Sequence, residues 1–421
     1  MERDYLTLAQ AEQAYTVKLR RYFHQHPEVG PAEQVETMAA ICRELETLGI
    51  PYERVPGGGI LGFLGDPARG KTVLLRADID ALPIQEDPDN LKGPRVCISQ
   101  KPGAMHACGH DGHIAMLLTE AKILKSMESE LKGAVLLVFE EGEEGHRNIE
   151  ALLPYMERRG LRPDTCYATH VRWDLEAGKL HVVDGTAMAG LYVFRCELHG
   201  LSGHGSRPDL ARSTLDCFVN VYDLLQTVRM DHLSPDKRLT FSVGKVTCGT
   251  ADNVIPDQLV FEGTIRFFER DSGRIFWEEF KRILKTICEY HGCTYTLTCR
   301  FALLPSISDR TCRRLWERAI ERHLGKEHLG ECEPWMASES YSYFLSMCPG
   351  VLVFTGIRNE ALGSGANHHT PQFDLDEAAL SVGVASAVAY TLDFLEEQPQ
   401  IPGFQPLCSS AEEIIRLNHP N

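Results

Sequence analysis

The chain has 421 residues, of which 43% are hydrophobic and 24% charged, a globular composition long enough for two domains that excludes disorder as the main state. Basic side chains number 43 and acidic ones 59, a formal net charge of −16, which repels phosphate backbones and argues against nucleic acid as a partner. No apolar run nears 18 uninterrupted residues and the opening MERDYLTLAQAEQ is charged, so neither a membrane span nor a secretion signal is expected and a cytoplasmic location is.

Two helices are expected first, over Leu6–Gln25 and Gln34–Leu48, the second stopped by Gly49 and Pro51. Apolar strand runs follow at Gly59–Leu64, Thr72–Arg76, Ala134–Phe139, Cys166–His170 and Val351–Thr355, with helical patterns at Ile114–Met127 and Asn148–Arg158 among them. Continuous apolar strands separated by helices predict an α/β domain with a central, mostly parallel sheet flanked by helices. Between about Ala187 and Leu304 the texture changes. Strands at Leu191–His199, Gln258–Phe267 and Tyr295–Phe301 and helices at Thr214–Val228 and Arg274–His291 suit a β-α-β-β-α-β, ferredoxin-like α+β insert. The expected division is a discontinuous catalytic domain, 1–186 with 305–421, and an inserted lid or dimerisation domain, 187–304. The α/β pattern then resumes to a last helix, Glu377–Glu396.

Fourteen cysteines are scattered from Cys42 to Cys408 with no C-x-x-C pair, which predicts free thiols buried as small hydrophobes. Cys108 is the exception, because Met105-His-Ala-Cys108-Gly-His110-Asp-Gly-His113 gathers three His and one Cys in eight residues. Such donors suit zinc-like ions, although a helix-entry turn or a thiol nucleophile would use the same residues. The strand run Ala134–Phe139 ends in Glu140-Glu-Gly-Glu143-Glu144. Carboxylates crowded at a buried strand end repel one another, and a divalent cation would turn that repulsion into coordination. Ligands in open α/β sheets bind beyond the carboxyl ends of the strands. Thr72–Arg76 leads there to Asp78 and Asp80, Cys166–His170 ends in a His, and a loop before the last helix adds His368 and His369.

The set R-A-D-I-D-A-L-P, M-H-A-C-G-H-D-G-H, E-E-G, N-V-I-P and H-T-P-x-F-D-x-D-E-x-A-L resembles the dinuclear metal-dependent amidohydrolases and metallopeptidases related to aminoacylase and glutamate carboxypeptidase. Its nearest branch is the hippurate and indole-acetyl-amino-acid hydrolases. The resemblance runs from His24-Gln-His-Pro27 to Leu380. It implies two divalent metal ions per subunit, zinc or manganese first and cobalt or nickel as alternatives, held by Cys108, His110, Glu144, His170 and His369. It implies Glu143 as general base, Asp78 and Asp80 as supports for the ligands, and no ligand role for His106 or His113. In the insert it marks His204 as a donor to the oxyanion of a partner subunit's site, and Asn253 and Arg266 as holders of the substrate carboxylate. For Arg266 a surface salt bridge is the competing account.

The implied activity is hydrolysis of the amide of an N-acyl amino acid or a related small conjugate, by a homodimer joined through the insert. A dipeptidase or carboxypeptidase of the same chemistry, a non-catalytic metal-binding dimer and a thiol hydrolase are the alternatives. Two departures touch the substrate rather than the mechanism. The E-E-G at Glu143-Glu144-Gly145 is preceded by Glu140-Glu141-Gly142 and not by the usual Q-P-A, and the usual E-D-F reads Glu339-Ser340-Tyr341.

Overall fold

The computed structural model describes residues 4–30, 33–145 and 148–420. The chain divides into two compact units, the first made of Met1–Ala187, Ile307–Pro334 and Tyr343–Glu413 and the second of Met188–Ser306, Trp335–Ser342 and Ile414–Asn421.

In the first unit seven strands form one sheet, in the order Tyr52–Val55, Gly59–Gly65, Gly133–Glu140, Lys71–Asp78, Thr165–Glu176, Gly350–Arg358, Leu180–His181. The three central pairings are parallel and the edge pairings antiparallel. The sheet is therefore mixed, with the expected parallel arrangement confined to its centre. The first edge is a hairpin, and a chain that turns straight back can only pair antiparallel. Every residue of Gly133–Glu140 is buried, the burial on both faces that its unbroken apolar run implies.

Helices flank this sheet. The helix expected over Leu6–Gln25 is two helices, Tyr5–Ala11 and Gln13–Gln25, separated at Glu12, whose N–H bonds back to Ala9. Within Glu377–Glu397 the last large helix is apolar and long enough to cross a membrane, but 83% of its apolar window is buried inside the protein. It is a core helix. All fourteen cysteines are free, and all but Cys248, Cys299 and Cys332 are buried.

The second unit is a four-stranded antiparallel sheet, in the order Leu239–Cys248, Gln258–Phe267, Gly190–His199, Thr294–Leu303. In chain order this is 2-3-1-4, the ferredoxin-like arrangement of β-α-β-β-α-β. The helices Thr214–Asp231 and Arg270–His291 pack on it, and Phe194, Phe261, Phe276, Trp277 and Phe280 fill the space between. Two short segments complete the unit, and from one of them Asn418 donates to the Ala302 carbonyl at 2.6 Å.

Candidate metal centre

The first unit brings together Cys108, His110, Glu143, Glu144, His170 and His369. Their candidate ligand atoms fall into three overlapping groups, each with its atoms within 4.8 Å of one another: Cys108–His110–His170, Cys108–Glu144–His369 and His110–Glu143–Glu144. Cys108 belongs to two of these groups, so one sulfur faces both halves of the cluster.

Each side chain is placed by its own stretch of backbone. The helix His110–Ser126 starts four residues earlier than its apolar pattern shows, because Gly109 takes a left-handed turn (φ 89°) at its entry. His110 and His113 thereby share one face of its first turn. His170 is not terminal in its strand, which continues to Glu176 by pairing with Gly350–Arg358 after the neighbour Lys71–Asp78 has diverged. Glu143 and Glu144 follow Gly133–Glu140 in a turn. His369 lies in a loop with φ 59°, its N–H donating to Ala107 at 2.9 Å.

Not every carboxylate of the acidic run faces the cluster. Glu140 accepts from Arg76 Nε at 2.7 Å, and Glu141 accepts from the Gln34 N–H at 2.9 Å. Beyond Gly142, Glu143 and Glu144 are left to the site.

Buried partners orient the imidazoles. His110 Nδ1 donates to Asp80 Oδ1 at 3.1 Å, and the other oxygen of Asp80 accepts from the Glu144 N–H at 2.9 Å. One carboxylate thus aligns two candidate ligands. His170 Nδ1 donates to the Val171 carbonyl at 2.7 Å, which leaves Nε2 as an acceptor 3.6 Å from Cys108 Sγ. His113 has no nitrogen to spare, since Nδ1 donates to Asp78 at 2.6 Å and Nε2 accepts from the Val171 N–H at 2.9 Å. His106 is buried and neutral, with burial lowering its pKa to about 4. Sequence reasoning missed a further buried network behind the site, in which His24 bridges Asp111 and Glu86; the H-Q-H-P segment was its only trace.

The charge pattern suits a cation. Burial, and then the Glu144 charge, push the Cys108 thiol well above its ordinary value, so by itself it would stay protonated. That disfavours a thiol nucleophile and favours a ligand whose proton a metal displaces. Burial followed by the charge of His113 holds His170 well below the ordinary histidine value, in the neutral form that ligates. His110 is raised despite its burial, by Asp78 and then Cys108. The donor set fits a divalent ion. His110 Nε2 and Glu144 Oε1 are buried without a hydrogen-bond partner, and Glu144 Oε1 lies 3.1 Å from His369 Nε2.

The other three expected residues lie in the second unit. His204 is exposed on a two-residue strand paired with Val254–Ile255, and the Gly205 N–H donates to the Asn253 carbonyl at 2.8 Å. These contacts set His204 and Asn253 side by side. His204 Nδ1 accepts from the Ser206 N–H at 3.1 Å, so the neutral ring carries its hydrogen on Nε2. Arg266 is half-buried on Gln258–Phe267 and donates to the Met336 carbonyl at 3.2 Å and to Ser338 Oγ at 3.0 Å. Among the described residues it makes no ion pair, so a surface salt bridge does not account for it.

A mixed sheet flanked by helices, a ferredoxin-like unit and a Cys/His/Glu cluster define a metallohydrolase of the α/β class. The chain belongs to peptidase family M20/M25/M40, whose pattern matches residues 74–392, and with that family to the metal-dependent amidohydrolases and peptidases. It is 30% identical to IAA-amino acid hydrolase ILR1-like 4 of Arabidopsis thaliana, over 93% of this chain and 89% of that protein. It is 32% identical to N-acetylcysteine deacetylase of Bacillus subtilis, over 87% and 93% respectively. Among solved structures it superposes on Bacillus subtilis YxeP, a dinuclear metal-binding peptidase of the M20 family, with a TM-score of 0.75 and 28% identity, covering 92% of this chain and 99% of that one.

Proposed function

We propose that this protein hydrolyses the amide bond of N-acyl amino acids or related small amino-acid conjugates. In this reading Cys108, His110, Glu144, His170 and His369 hold two divalent ions and Glu143 is the general base. The single observation that carries it is the convergence of these six side chains from four segments of one unit, with one thiol shared between two ligand groups. Zinc and manganese suit the mixed S, N and O donors, as cobalt or nickel would. When bound, such ions polarise a scissile carbonyl and acidify water.

The chain's own residues do the rest. Glu143, 8% exposed and grouped with His110 and Glu144, accepts the proton of the attacking water and delivers it to the leaving amine. His204 supplies an Nε2–H donor for the oxyanion, and Asn253 and Arg266 hold the substrate carboxylate, a task that suits a guanidinium fork.

The second unit acts as lid and dimerisation domain, so that His204 serves the site of a second copy. Two observations support a self-association surface. Leu239–Cys248 is an edge strand, and Leu215, Val219 and Tyr222 are exposed on the neighbouring helix.

The substrate class is tested by offering the metal-loaded protein N-acetyl and indole-acetyl amino acids beside dipeptides. Release of free amino acid from the acyl conjugates at the higher kcat/KM is the expected outcome. Turnover of dipeptides alone would assign the chain to the dipeptidases instead.

A further inference from the structure

Two arginines outside the ligand set hold the loop that carries His369. Arg95, whose side chain is fully buried, donates through Nη2 to the Pro371 carbonyl at 2.8 Å and through Nη1 to the Phe373 carbonyl at 2.7 Å. Its Nε donates to the Asp87 carbonyl at 2.7 Å, and the Asp87 N–H in turn donates to Pro371 at 3.1 Å. Arg20, 3% exposed, places Nε 3.0 Å from Asp111, the residue after His110, and Nη1 3.4 Å from Glu377. The two arginines meet at Asp374, 3.4 Å from Arg20 and 3.7 Å from Arg95, and Asn90 donates to the same carboxylate at 3.0 Å. His24 closes the frame between Asp111 and Glu86, at 2.7 and 2.8 Å, and Glu86 lies 3.4 Å from Arg95.

This frame meets a ligand that needs holding. His369 has a backbone conformation that residues with a side chain rarely adopt, and its side chain is 49% exposed whereas His110 is 1% exposed. Core packing fixes Cys108, His110 and His170, all buried, but it does not fix His369.

We propose that Arg95, acting with Arg20 through Asp374, is a positioning residue that sets His369 over Glu144 and so governs the affinity of the ion those two hold. The ion held by Cys108, His110 and His170 does not depend on it. The proposal rests on the ligand assignment above, and the test separates the two.

Metal-stripped full-length protein is titrated with Co²⁺, by calorimetry and by the thiolate-to-cobalt absorbance that Cys108 supplies. The unmodified protein is expected to take up two ions per chain; if it takes up fewer, the ligand assignment fails and the proposal falls with it. Arg95→Met should bind the first ion as the unmodified protein does and the second at least tenfold more weakly, with turnover recovering as Co²⁺ is raised. Arg95→Lys should not rescue, because an ammonium lacks the planar fork that reaches both carbonyls. If Arg95→Met does not fold, the isosteric Asp374→Asn, at a 14% exposed position, should show the same selective loss. Both ions bound as in the unmodified protein, or both weakened alike, would overturn the proposal.

Discussion

At the scale of single residues, adjacent carboxylates of the candidate site have different surroundings. Glu144 is held by Asp80 through its backbone N–H and faces His369, whereas Glu143 groups with His110 and Glu144 but not with His369. Removing only a proton acceptor at an otherwise intact site costs about 10²–10⁴ in rate. Glu143→Gln should therefore keep the full metal content while kcat falls by that order, and Glu144→Gln should lose metal first. Metal analysis beside steady-state kinetics checks this, and the opposite pairing would move the base to Glu144. The residue types of the site were legible in the sequence because Cys and His crowd one short motif, Met105–His113, and Glu143 and Glu144 follow a buried strand run. What each carboxylate does was not. Glu140 and Glu141 have the same chemistry as Glu143 and Glu144, and only the folded structure shows that the Arg76 side chain and the Gln34 N–H engage the first two.

At the scale of elements, the entry to the helix His110–Ser126 is a tightly constrained turn. Gly109 has φ 89°, and a Cβ there would lie 2.4 Å from Val171 Cγ2. Left-handed backbone costs a residue with a side chain about 1–2 kcal/mol, and forcing an atom into a packed interior about 1–3 kcal/mol more. Gly109→Ala should cost about 2–5 kcal/mol on the sum of those two effects and weaken metal binding, since Cys108 and His110 flank it. Gly49 is a matched control, with φ 66° and nothing within 4 Å of its would-be Cβ, so Gly49→Ala should show the backbone cost alone. Denaturant unfolding of both variants measures the difference, and equal losses would remove the steric part of the argument. Apolar periodicity located most strands and helices of both units but missed the strands Tyr52–Val55 and Leu239–Cys248 and the helix Arg310–His323, and it misplaced ends. The pattern at Ile114 cannot show a helix that begins at buried His110, and a strand run stopping at His170 cannot show pairing onward to Glu176.

At the scale of the whole molecule, the chain's pattern distinguished an α/β stretch from an α+β one, because a change from buried to half-buried strands is written in hydrophobicity. The segments Trp335–Ser342 and Ile414–Asn421 also belong to the second unit, and eight residues carry too little pattern to declare it. The proposed use of His204 by a second copy makes a prediction at this scale. Glu143→Gln and His204→Ala chains, each nearly inactive alone, should recover about a quarter of normal activity when equal amounts exchange subunits freely, because each mixed dimer then holds one intact site. Exchange without recovery would return His204 to its own chain. The central claim, hydrolysis that depends on ions held by Cys108, His110, Glu144, His170 and His369, is tested most directly by removing the metal. Protein stripped with a chelator and assayed on an N-acyl amino acid should be inactive and should regain full turnover as two divalent ions per chain are restored, whereas full turnover by rigorously metal-free protein would contradict it.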